Sequence, residues 1–332
     1  MHTAPIQMQA IRSRLYTVIR SFFAARDFRE VETPCLAPAV IPESAVPAFA
    51  TQYNSYHGDI PLFALPSPEY YMKQLLAQGS GSIFQISRCF RNAEVLTNQH
   101  NIEFTMLEWY TVRQDYLYNL GMQQDVLNAL LLDNTLWQLI ADLGRTPAQL
   151  EVLRSRLGKP IRKISLQTAF EEWADISLSE GMQRGYIDPD RPHEAMDDAF
   201  HRILVDSVEP NIPRDTPVAL YDYPACVPTT GRRKPGTPWT ERWELYIGGM
   251  EIANCYTEAD AHELEGYYHQ ETATLRKNGR PETPDTGFLQ RISAMPQCSG
   301  NALGIDRLLM QLTGETRIQG VILFPCHDSI QA

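Results

Sequence analysis

Hydrophobic and polar positions along the chain predict helices alternating with hairpins. Apolar residues recur at helical spacing between Ile11 and Phe23, which indicates an amphipathic helix. Residues 45–65 alternate short apolar pieces with polar turn residues, as a β-hairpin does. Pro68 opens a second predicted helix, which ends at the Gly-Ser-Gly of residues 79–81.

Two segments with strict alternation predict neighbouring strands, at residues 82–91 and 102–112, joined by a polar loop. On the second strand, period two places one set of residues on a single face: Ile102, Phe104, Met106, Glu108 and Tyr110. Burying an unpaired carboxylate is costly, so Glu108 on such a face indicates a binding site. A simply solvated face is the alternative that the pattern leaves open.

The remaining segments predict an α+β fold. Residues 117–215 have a mostly helical pattern and are expected to form helical connections or an insertion without catalytic residues. Residues 223–240 are rich in proline and predict a loop. Strand character returns at 241–258, a polar helix follows at 261–278, and 299–312 predicts a strand, a turn and a helix. Hairpins with peripheral helices indicate an antiparallel sheet core.

Composition narrows the class of protein. The 332 residues are 43% hydrophobic and 21% charged, as in an ordinary globular protein. No apolar stretch approaches the ~18 residues of a membrane span, and the N-terminus lacks an apolar signal core, so we expect a cytoplasmic protein. Six scattered cysteines without a C-x-x-C pair fit a reducing compartment. The net charge of -11 favours small molecules or a basic protein over tRNA as partner.

Five segments carry a resemblance to a known family. FQISRCFRN followed by HNIEFTMLEWY resembles motif 2 of class II aminoacyl-tRNA synthetases in its lysine-specific form. REVETPCLAP resembles motif 1 and GNALGIDRLLM resembles motif 3, while SPEYYMKQLL and ERWELYIGGMEIAN are similar to lysyl-subgroup segments. The resemblance implies a single catalytic domain over residues 1–332, without an anticodon-binding domain, with a homodimer contact at motif 1, where Pro34 follows an apolar helix and strand.

The resemblance to lysyl-tRNA synthetases implies a site for ATP and Mg²⁺. In that family's terms, Arg91 contacts the α-phosphate, Phe104 stacks on adenine, and Arg307 holds the γ-phosphate, with Arg91 and Arg307 the catalytic residues. Glu251 and Glu258 are the implied magnesium ligands. The full implied ATP set is Arg91, Asn92, Glu94, His100, Asn101, Phe104, Glu251, Ile252, Gly304 and Arg307.

The same resemblance implies a pocket for a lysine-like amino acid. Its residues are Ser67, Pro68, Glu69, Glu108, Tyr110, Asn254, Glu258 and Ala302. Several carboxylates around one ligand make chemical sense if that ligand carries two ammonium groups. For a lone Glu, a solvated surface position is the usual alternative.

Three positions depart from the family pattern. Ala93 lengthens the motif 2 loop by one residue before Glu94, and Ile102 stands where the family has proline. Cys255 stands where the family has glycine. Counting by twos, Glu251 and Glu258 fall on opposite faces of a regular strand, so we expect a bulge between them, with Cys255 at the natural glycine position.

The truncated plan resembles the elongation factor P lysyl-ligase family, whose LEWY and SGNALG segments match residues 107–110 and 299–304. That resemblance implies activation of (R)-β-lysine as an adenylate and its transfer to a lysine side chain of elongation factor P. Two alternatives remain. One is a shortened enzyme acting on another acceptor, such as a tRNA or a small amine. The other is a non-catalytic regulatory paralogue, which would be expected to lose Arg91, Arg307 or Glu251.

Overall fold

An eight-stranded sheet organises the computed structural model, which describes residues 5–93 and 95–326. Its strands, in spatial order, are β1 (Arg29–Glu30), β5 (Ile83–Phe90), β6 (Glu103–Val112), β11 (Cys298–Gly304), β10 (Met250–Thr257), β9 (Trp239–Ile247), β8 (Val218–Pro224) and β7 (Arg162–Ser165). Neighbours from β5 to β8 run antiparallel, and only the outermost pairs, β1 with β5 and β7 with β8, are parallel. The predicted α+β class with an antiparallel core is confirmed.

A smaller sheet contains the predicted hairpin. It consists of β2 (Leu36–Ala37), β4 (Gly58–Ala64) and β3 (Phe49–Ser55). The hairpin strands pair from Phe49 opposite Ala64 to Ser55 opposite Gly58. The sheet leads directly into the helix that forms one wall of the site.

Helices surround the large sheet. They are α1 (Gln7–Ala24), α2 (Glu69–Ala77), α3 (Tyr116–Leu132), α4 (Asn134–Ala141), α5 (Pro147–Gly158), α6 (Leu166–Ala174), α7 (Leu178–Arg184), α8 (Met196–Ile203), α9 (Glu263–Lys277), α10 (Phe288–Ile292) and α11 (Ile305–Thr313). The predicted helices at 11–23, after Pro68 and at 261–278 correspond to α1, α2 and α9. None of the helices described is both long and apolar enough to cross a membrane.

The main core lies behind β5 and β6. On α1, Phe23 stacks on Phe84 with ring centroids 4.7 Å apart and approaches Trp109 at 5.3 Å. All three side chains are buried. Because side chains alternate along a strand, packing this face against α1 turns Gln85 and Glu108 to the opposite face. That opposite face carries the site.

Residues 117–215 contain more sheet than the sequence predicted. β7 lies inside this segment and adds the outermost strand of the sheet, and β8 follows where no strand was predicted. A separate core joins them to α6 and α8, where Phe170 stacks on Phe200 at 5.2 Å. β7 has only four residues and two of them are cationic, so it is too short to show a clear period of two.

Candidate active site

A cavity of about 530 Å³ opens on the face of the sheet opposite α1. Its floor comes from three adjacent strands, because Ala302 on β11 is the cross-strand partner of both Glu108 on β6 and Asn254 on β10. The N-terminal turn of α2, with Glu69, supplies one wall. The structure therefore places Ser67, Glu69, Glu108, Tyr110, Asn254, Glu258 and Ala302, which the family resemblance implied as one pocket, around a single cavity.

Glu108 is buried and held by two hydroxyl donors. The Ser67 hydroxyl donates to its Oε2 at 2.5 Å, and the Tyr110 hydroxyl donates to its Oε1 at 2.7 Å. Ser67 Oγ also accepts a hydrogen bond from the Glu69 amide at 3.0 Å, while Pro68 precedes the first turn of α2. Burial, followed by the nearby charge of Glu69, raises the pKa of Glu108 to about 7.

A fully buried lysine joins the other two carboxylates. Lys73 Nζ lies 2.6 Å from Glu258 Oε2 and also forms an ion pair with Glu69, one helical turn earlier on α2. The Tyr256 hydroxyl donates to Glu69 at 3.2 Å. Burial raises the pKa of Glu258 to about 8, against the opposing effect of Lys73. Burial alone would lower the pKa of Lys73, but Glu258 and Glu69 together raise it.

Two buried acceptor atoms at the cavity lack donors. Asn254 Oδ1 and Glu258 Oε1 are both enclosed, and neither receives a hydrogen bond from any residue in the described ranges 5–93 and 95–326. A buried acceptor without a donor costs roughly 1–3 kcal/mol. A ligand that only donates hydrogen bonds, such as an ammonium group, would satisfy both.

Gly300 lies where the cavity floor is tightest. A Cβ built on Gly300 would lie 2.5 Å from Tyr110 Cε1 and 2.7 Å from Glu258 Oε1. Any side chain there would displace a ring and a carboxylate that line the site. Close approach of these groups, rather than an unusual backbone conformation, requires glycine at this position.

The predicted bulge in β10 exists, but it lies nearer Glu251 than expected. Glu251 pairs with Tyr246 and Ala253 with Leu245, so Ile252 is the extra residue. The bulge turns Glu251 to the face that carries Asn254, and Ile252 into the core. Cys255 is on the core side, 3.4 Å from Ser299 Oγ, so the expectation that it occupies the bulge is wrong.

Two arginines lie around Glu251, at the other end of the site: Arg91, which lines the cavity, and Arg307. Arg91, just after β5, lies over the Phe104 ring at 5.4 Å from guanidinium carbon to ring centroid. Arg307, in the first turn of α11, donates to the Glu251 carbonyl at 2.9 Å and approaches the Glu251 carboxylate at 3.3 Å. Its other nitrogen lies 2.7 Å from His100 Nε2. Five residues of the implied ATP set therefore lie near one another: two arginines, an aromatic ring, a carboxylate and a histidine.

Other predicted ATP residues shape the motif 2 loop. Asn92 Oδ1 accepts from the Ala93 amide at 2.8 Å, and Ala93 itself has a left-handed φ of 54°. Asn101 is buried and hydrogen-bonds Glu103 and Cys326, which ties the loop to the C-terminal segment. Gly304 caps α11. Glu94 lies outside the described residues, so its predicted contact stays a prediction.

The donor set near Glu251 suits a divalent cation. Partial burial and the nearby Glu244 raise the pKa of Glu251, because two carboxylates there repel each other. Magnesium prefers one or two carboxylates together with phosphate oxygens. Within the described residues, no three His, Cys, Asp or Glu side chains form a metal cluster. Glu258 forms an ion pair with Lys73, so its contacts place it with Glu69 and Glu108 rather than with Glu251. Its role as a magnesium ligand stays a prediction.

Sequence reasoning missed several residues of the site, among them Lys73, Tyr256 and Arg242. Lys73 fills the space between Glu69 and Glu258, and its i, i+4 spacing from Glu69 was the available signal. Tyr256 lines the cavity beside Glu69. Arg242 donates to Glu244 at 2.6 Å and lies over the Tyr223 ring at 4.3 Å. The sequence pattern does not distinguish a partly buried arginine between a carboxylate and a ring from an arginine on the surface.

The comparisons with known proteins agree with this geometry. Residues 4–328 match the family described as tRNA synthetases class II (D, K and N). A protein from Vibrio cholerae named elongation factor P–(R)-β-lysine ligase is 33% identical over 332 residues, covering 98% of this chain and 97% of that protein. Proteins of the same name from Salmonella arizonae and Yersinia enterocolitica are each 33% identical, covering 94% and 97% of this chain and 93% and 96% of those proteins. The chain therefore belongs to the class II tRNA synthetase family, and it is an ATP-dependent amino-acid ligase.

Proposed function

We propose that this ligase activates (R)-β-lysine with ATP and transfers it to a lysine side chain of elongation factor P. The observation that carries the proposal is the donor-poor end of the cavity. There, Glu69, Glu108 and Glu258 converge, and Lys73 forms ion pairs with two of them, Glu69 and Glu258. Two further ammonium groups would complete this arrangement, and a diamino acid supplies them.

The two buried oxygen atoms without donors also favour a cationic ligand. Asn254 Oδ1 and Glu258 Oε1 need donors, and an ammonium group has three. An apolar or acidic side chain would leave Asn254 Oδ1 and Glu258 Oε1 without a donor, which costs roughly 1–3 kcal/mol for each atom. The pocket therefore favours lysine-like substrates over amino acids with an apolar or acidic side chain.

The arginine end fits the first chemical step. The amino-acid carboxylate attacks the α-phosphate of ATP, which gives an aminoacyl-adenylate and releases pyrophosphate. Arg91 would contact the α-phosphate, where negative charge develops, and Arg307 would hold the γ-phosphate. Phe104 offers a ring face for adenine. Glu251 would hold a magnesium ion, which neutralises phosphate charge when bound.

The proposed acceptor follows from the relatives. Proteins at 33% identity over nearly the whole chain carry the name elongation factor P–(R)-β-lysine ligase. The net charge of -11 is also unfavourable for general binding of a polyanion such as tRNA. In the second step, the ε-amine of the acceptor attacks the adenylate carbonyl, an amide bond forms and AMP leaves.

Amino-acid-dependent exchange of pyrophosphate into ATP tests the first step, across a panel of (R)-β-lysine, α-lysine, ornithine, leucine and glutamate. We expect exchange with the diamino acids only, fastest with (R)-β-lysine. Transfer of labelled amino acid then tests the acceptor, with elongation factor P, its variant lacking the target lysine, and tRNA side by side. Exchange with leucine but not with lysines would refute the substrate class. Labelling of tRNA alone would refute the acceptor.

We also propose that the chain works as a homodimer through the segment that resembles motif 1. The edge strand β1 is exposed, and Leu36 on β2 is 43% exposed. Light scattering at micromolar concentration is expected to give twice the mass of one chain. A fully active monomer would contradict this proposal.

A further inference from the structure

The loop that joins β2 to β3, residues 38–48, forms one wall of the cavity and is fixed at two of its amides. The Ser44 amide donates to Glu271 Oε2 at 2.6 Å, and the Ala48 amide donates to Glu282 Oε1 at 3.0 Å. Both acceptor carboxylates are buried. The position of this wall is therefore set by side chains from the C-terminal half of the chain.

Glu43 lies on this loop and its side chain is exposed to the cavity. The two other carboxylates of the wall, Glu271 and Glu282, hold loop amides, and Glu282 also forms an ion pair with Arg280 at 2.5 Å. Within the described part of the chain, Glu43 forms neither a hydrogen bond nor an ion pair. It is thus the carboxylate of this wall that has no structural partner there.

Charged groups from several elements act on Glu43 across the cavity. They are Glu69, Arg91, Arg242 and Glu271. Enclosure in the cavity and the negative charge of Glu69 raise the pKa of Glu43 to about 6, against the lowering effect of Arg91. Arg242 already forms an ion pair with Glu244 at 2.6 Å. Glu43 therefore lies within the influence of both Glu69, at the proposed amino-acid end, and Arg91.

The proposed substrate carries one amino group close to its carboxylate. In (R)-β-lysine, a single methylene group separates the carboxyl carbon from the carbon that bears this amino group, and the second amino group is at the far end of the chain. Arg91 is proposed to contact the α-phosphate that the carboxylate attacks, so the carboxylate lies close to Arg91. The nearer ammonium group then falls between Glu43 and Glu69.

We propose that Glu43 is a specificity-determining residue, which binds the ammonium group nearest to the reacting carboxylate. This inference rests on the proposed function and deepens it. An ammonium group donates hydrogen bonds and carries the charge that an unpaired carboxylate requires. Because the loop is fixed at Ser44 and Ala48, Glu43 loses less conformational freedom on binding than a glutamate on a mobile loop would.

The test removes one ammonium group of the ligand at a time. 3-Aminohexanoic acid keeps the ammonium group near the carboxylate, whereas 6-aminohexanoic acid keeps only the one at the far end. The measurements, at about pH 8, where Glu43 is mostly ionised, are KM for (R)-β-lysine in pyrophosphate exchange and the inhibition constants of both analogues. They compare the wild type with Glu43→Gln and Glu43→Asp. Glu172→Gln, at an exposed position of α6, is the matched control.

The expected result is a selective loss. In Glu43→Gln, KM for (R)-β-lysine and the inhibition constant of 3-aminohexanoic acid should rise about 10–100-fold, as for the loss of a hydrogen bond to a charged group. The inhibition constant of 6-aminohexanoic acid and KM for ATP should stay within about threefold of the wild-type values. Glu43→Asp, which keeps the charge, should recover part of the lost affinity. Glu172→Gln should match the wild type.

Other results would overturn the inference. An equal rise in all the constants would mean that Glu43 only maintains the shape of the loop. A rise confined to 6-aminohexanoic acid would mean that it binds the far ammonium group, and unchanged constants would mean that it contacts neither. Equal losses in Glu43→Asp and Glu43→Gln, with no recovery by the charge, would also contradict the proposed contact.

The proposed function fails in a different way. If the wild type exchanges pyrophosphate with no diamino acid, the substrate class is wrong, and the role of Glu43 falls with it. If the wild type is active with (R)-β-lysine but Glu43→Gln does not discriminate between the two analogues, only the role of Glu43 is wrong.

Discussion

The two ends of the site hold opposite charges in different ways. At the end that we propose for the amino acid, Glu108 lies within a regular strand and Lys73 within a regular helix, and both are buried. At the end that we propose for the nucleotide, Arg91 follows the last residue of β5 and Arg307 lies in the first turn of α11, and both are partly exposed. Glu108 therefore lies inside a strand, whereas Arg91 and Arg307 lie at the ends of secondary-structure elements.

The two ends also differ in whether their charged groups must exchange hydrogen-bond partners when a ligand binds. Glu108 already accepts two short hydrogen bonds from Ser67 and Tyr110, and these need not change when an ammonium group arrives. Arg307 is instead held by Glu251 and His100, which a phosphate would replace or share. Glu108 is therefore preorganised for a cationic donor, whereas a phosphate bound at Arg307 would have to replace or share the contacts with Glu251 and His100.

The largest expected effect is at the nucleotide end. Arg307→Ala should reduce pyrophosphate exchange by about 10²–10³-fold or more, because the γ-phosphate loses a charged donor. The melting temperature should change little, since Arg307 is partly exposed and its neighbours can reach water. Arg276→Ala, on an exposed position of α9, is the matched control. Near-normal exchange in folded Arg307→Ala would remove this residue from the site.

The next effect separates the two ends. Glu108→Gln should raise KM for the amino acid about 10–100-fold, because a hydrogen bond to a charged group contributes about 1.5–3 kcal/mol. KM for ATP should stay within about threefold of the wild-type value, since Glu108 lies with Glu69 and Glu258 and away from the residues proposed to bind ATP. Exchange kinetics with each substrate varied in turn measure both constants, and Glu151→Gln on exposed α5 controls for the substitution. Equal rises in both constants would show that the ends are not separate.

The pH dependence should also differ between the ends. The pKa values of Glu108 and Glu258 are raised to about 7 and about 8 in the free protein, so both are partly protonated near neutrality. An ammonium ligand prefers the ionised forms, so its affinity should increase by at least about tenfold from pH 6 to pH 8, and by more if both groups must ionise. ATP affinity should vary much less.

Thermal stability gives an independent measurement of the same effect. A carboxyl group whose pKa is raised on folding stabilises the fold at low pH, and this contribution is lost as pH rises through the folded pKa. The free protein therefore loses stability towards pH 8, and a bound diamino acid restores it. The ligand-induced rise in Tm should grow from pH 6 to pH 8. A constant rise would contradict the titration of Glu108 and Glu258.

A smaller effect is expected at the cavity floor. The Ala302 methyl group lies between Glu108 and Asn254, where it would crowd an α-ammonium group more than a β-ammonium group. Ala302→Gly should narrow the preference for β-lysine over α-lysine by about tenfold, since one methyl group changes binding by about 1–3 kcal/mol. The measurement is kcat/KM for both lysines in wild type and variant. An unchanged ratio would show that Ala302 is not the selector.

The smallest functional effect is expected on the core side of β10. Cys255→Ala should lower the free energy of unfolding by roughly 1 kcal/mol, because it removes a fully buried sulfur. Selectivity between the two lysines should not change, since Cys255 faces Ser299 and the core. Denaturant unfolding and exchange kinetics check the two statements. A changed selectivity would mean that a change in core packing behind β10 alters the shape of the pocket.

Regular strands made the site predictable in part. Alternation on β6 separated Glu108 and Tyr110 from Trp109, and the structure has the first two at the cavity and the third in the core. Counting by twos also required a bulge between Glu251 and Glu258, and β10 contains one. Its position at Ile252 was not predictable, because a bulge does not require glycine and therefore leaves no mark in the residue type.

Other features depend on contacts between distant segments. A lysine on a helix is usually solvated, so nothing local indicated that Lys73 would be buried between Glu69 and Glu258. The need for glycine at position 300 arises from Tyr110 and Glu258, both remote in sequence. Likewise, β7 becomes a strand because β8 offers it an edge, which a four-residue pattern cannot reveal.

The bulge at Ile252 also constrains how this sequence can change over evolution. Deleting one residue between Glu251 and Asn254 would straighten β10 and invert the orientation of everything before the deletion relative to everything after it. Glu251 would then point into the core while Asn254 and Glu258 stayed in the cavity. Substitution at position 252 is tolerable as long as the new side chain is apolar, but loss of the position is not. Chain length, more than residue identity, is therefore what selection has to preserve here.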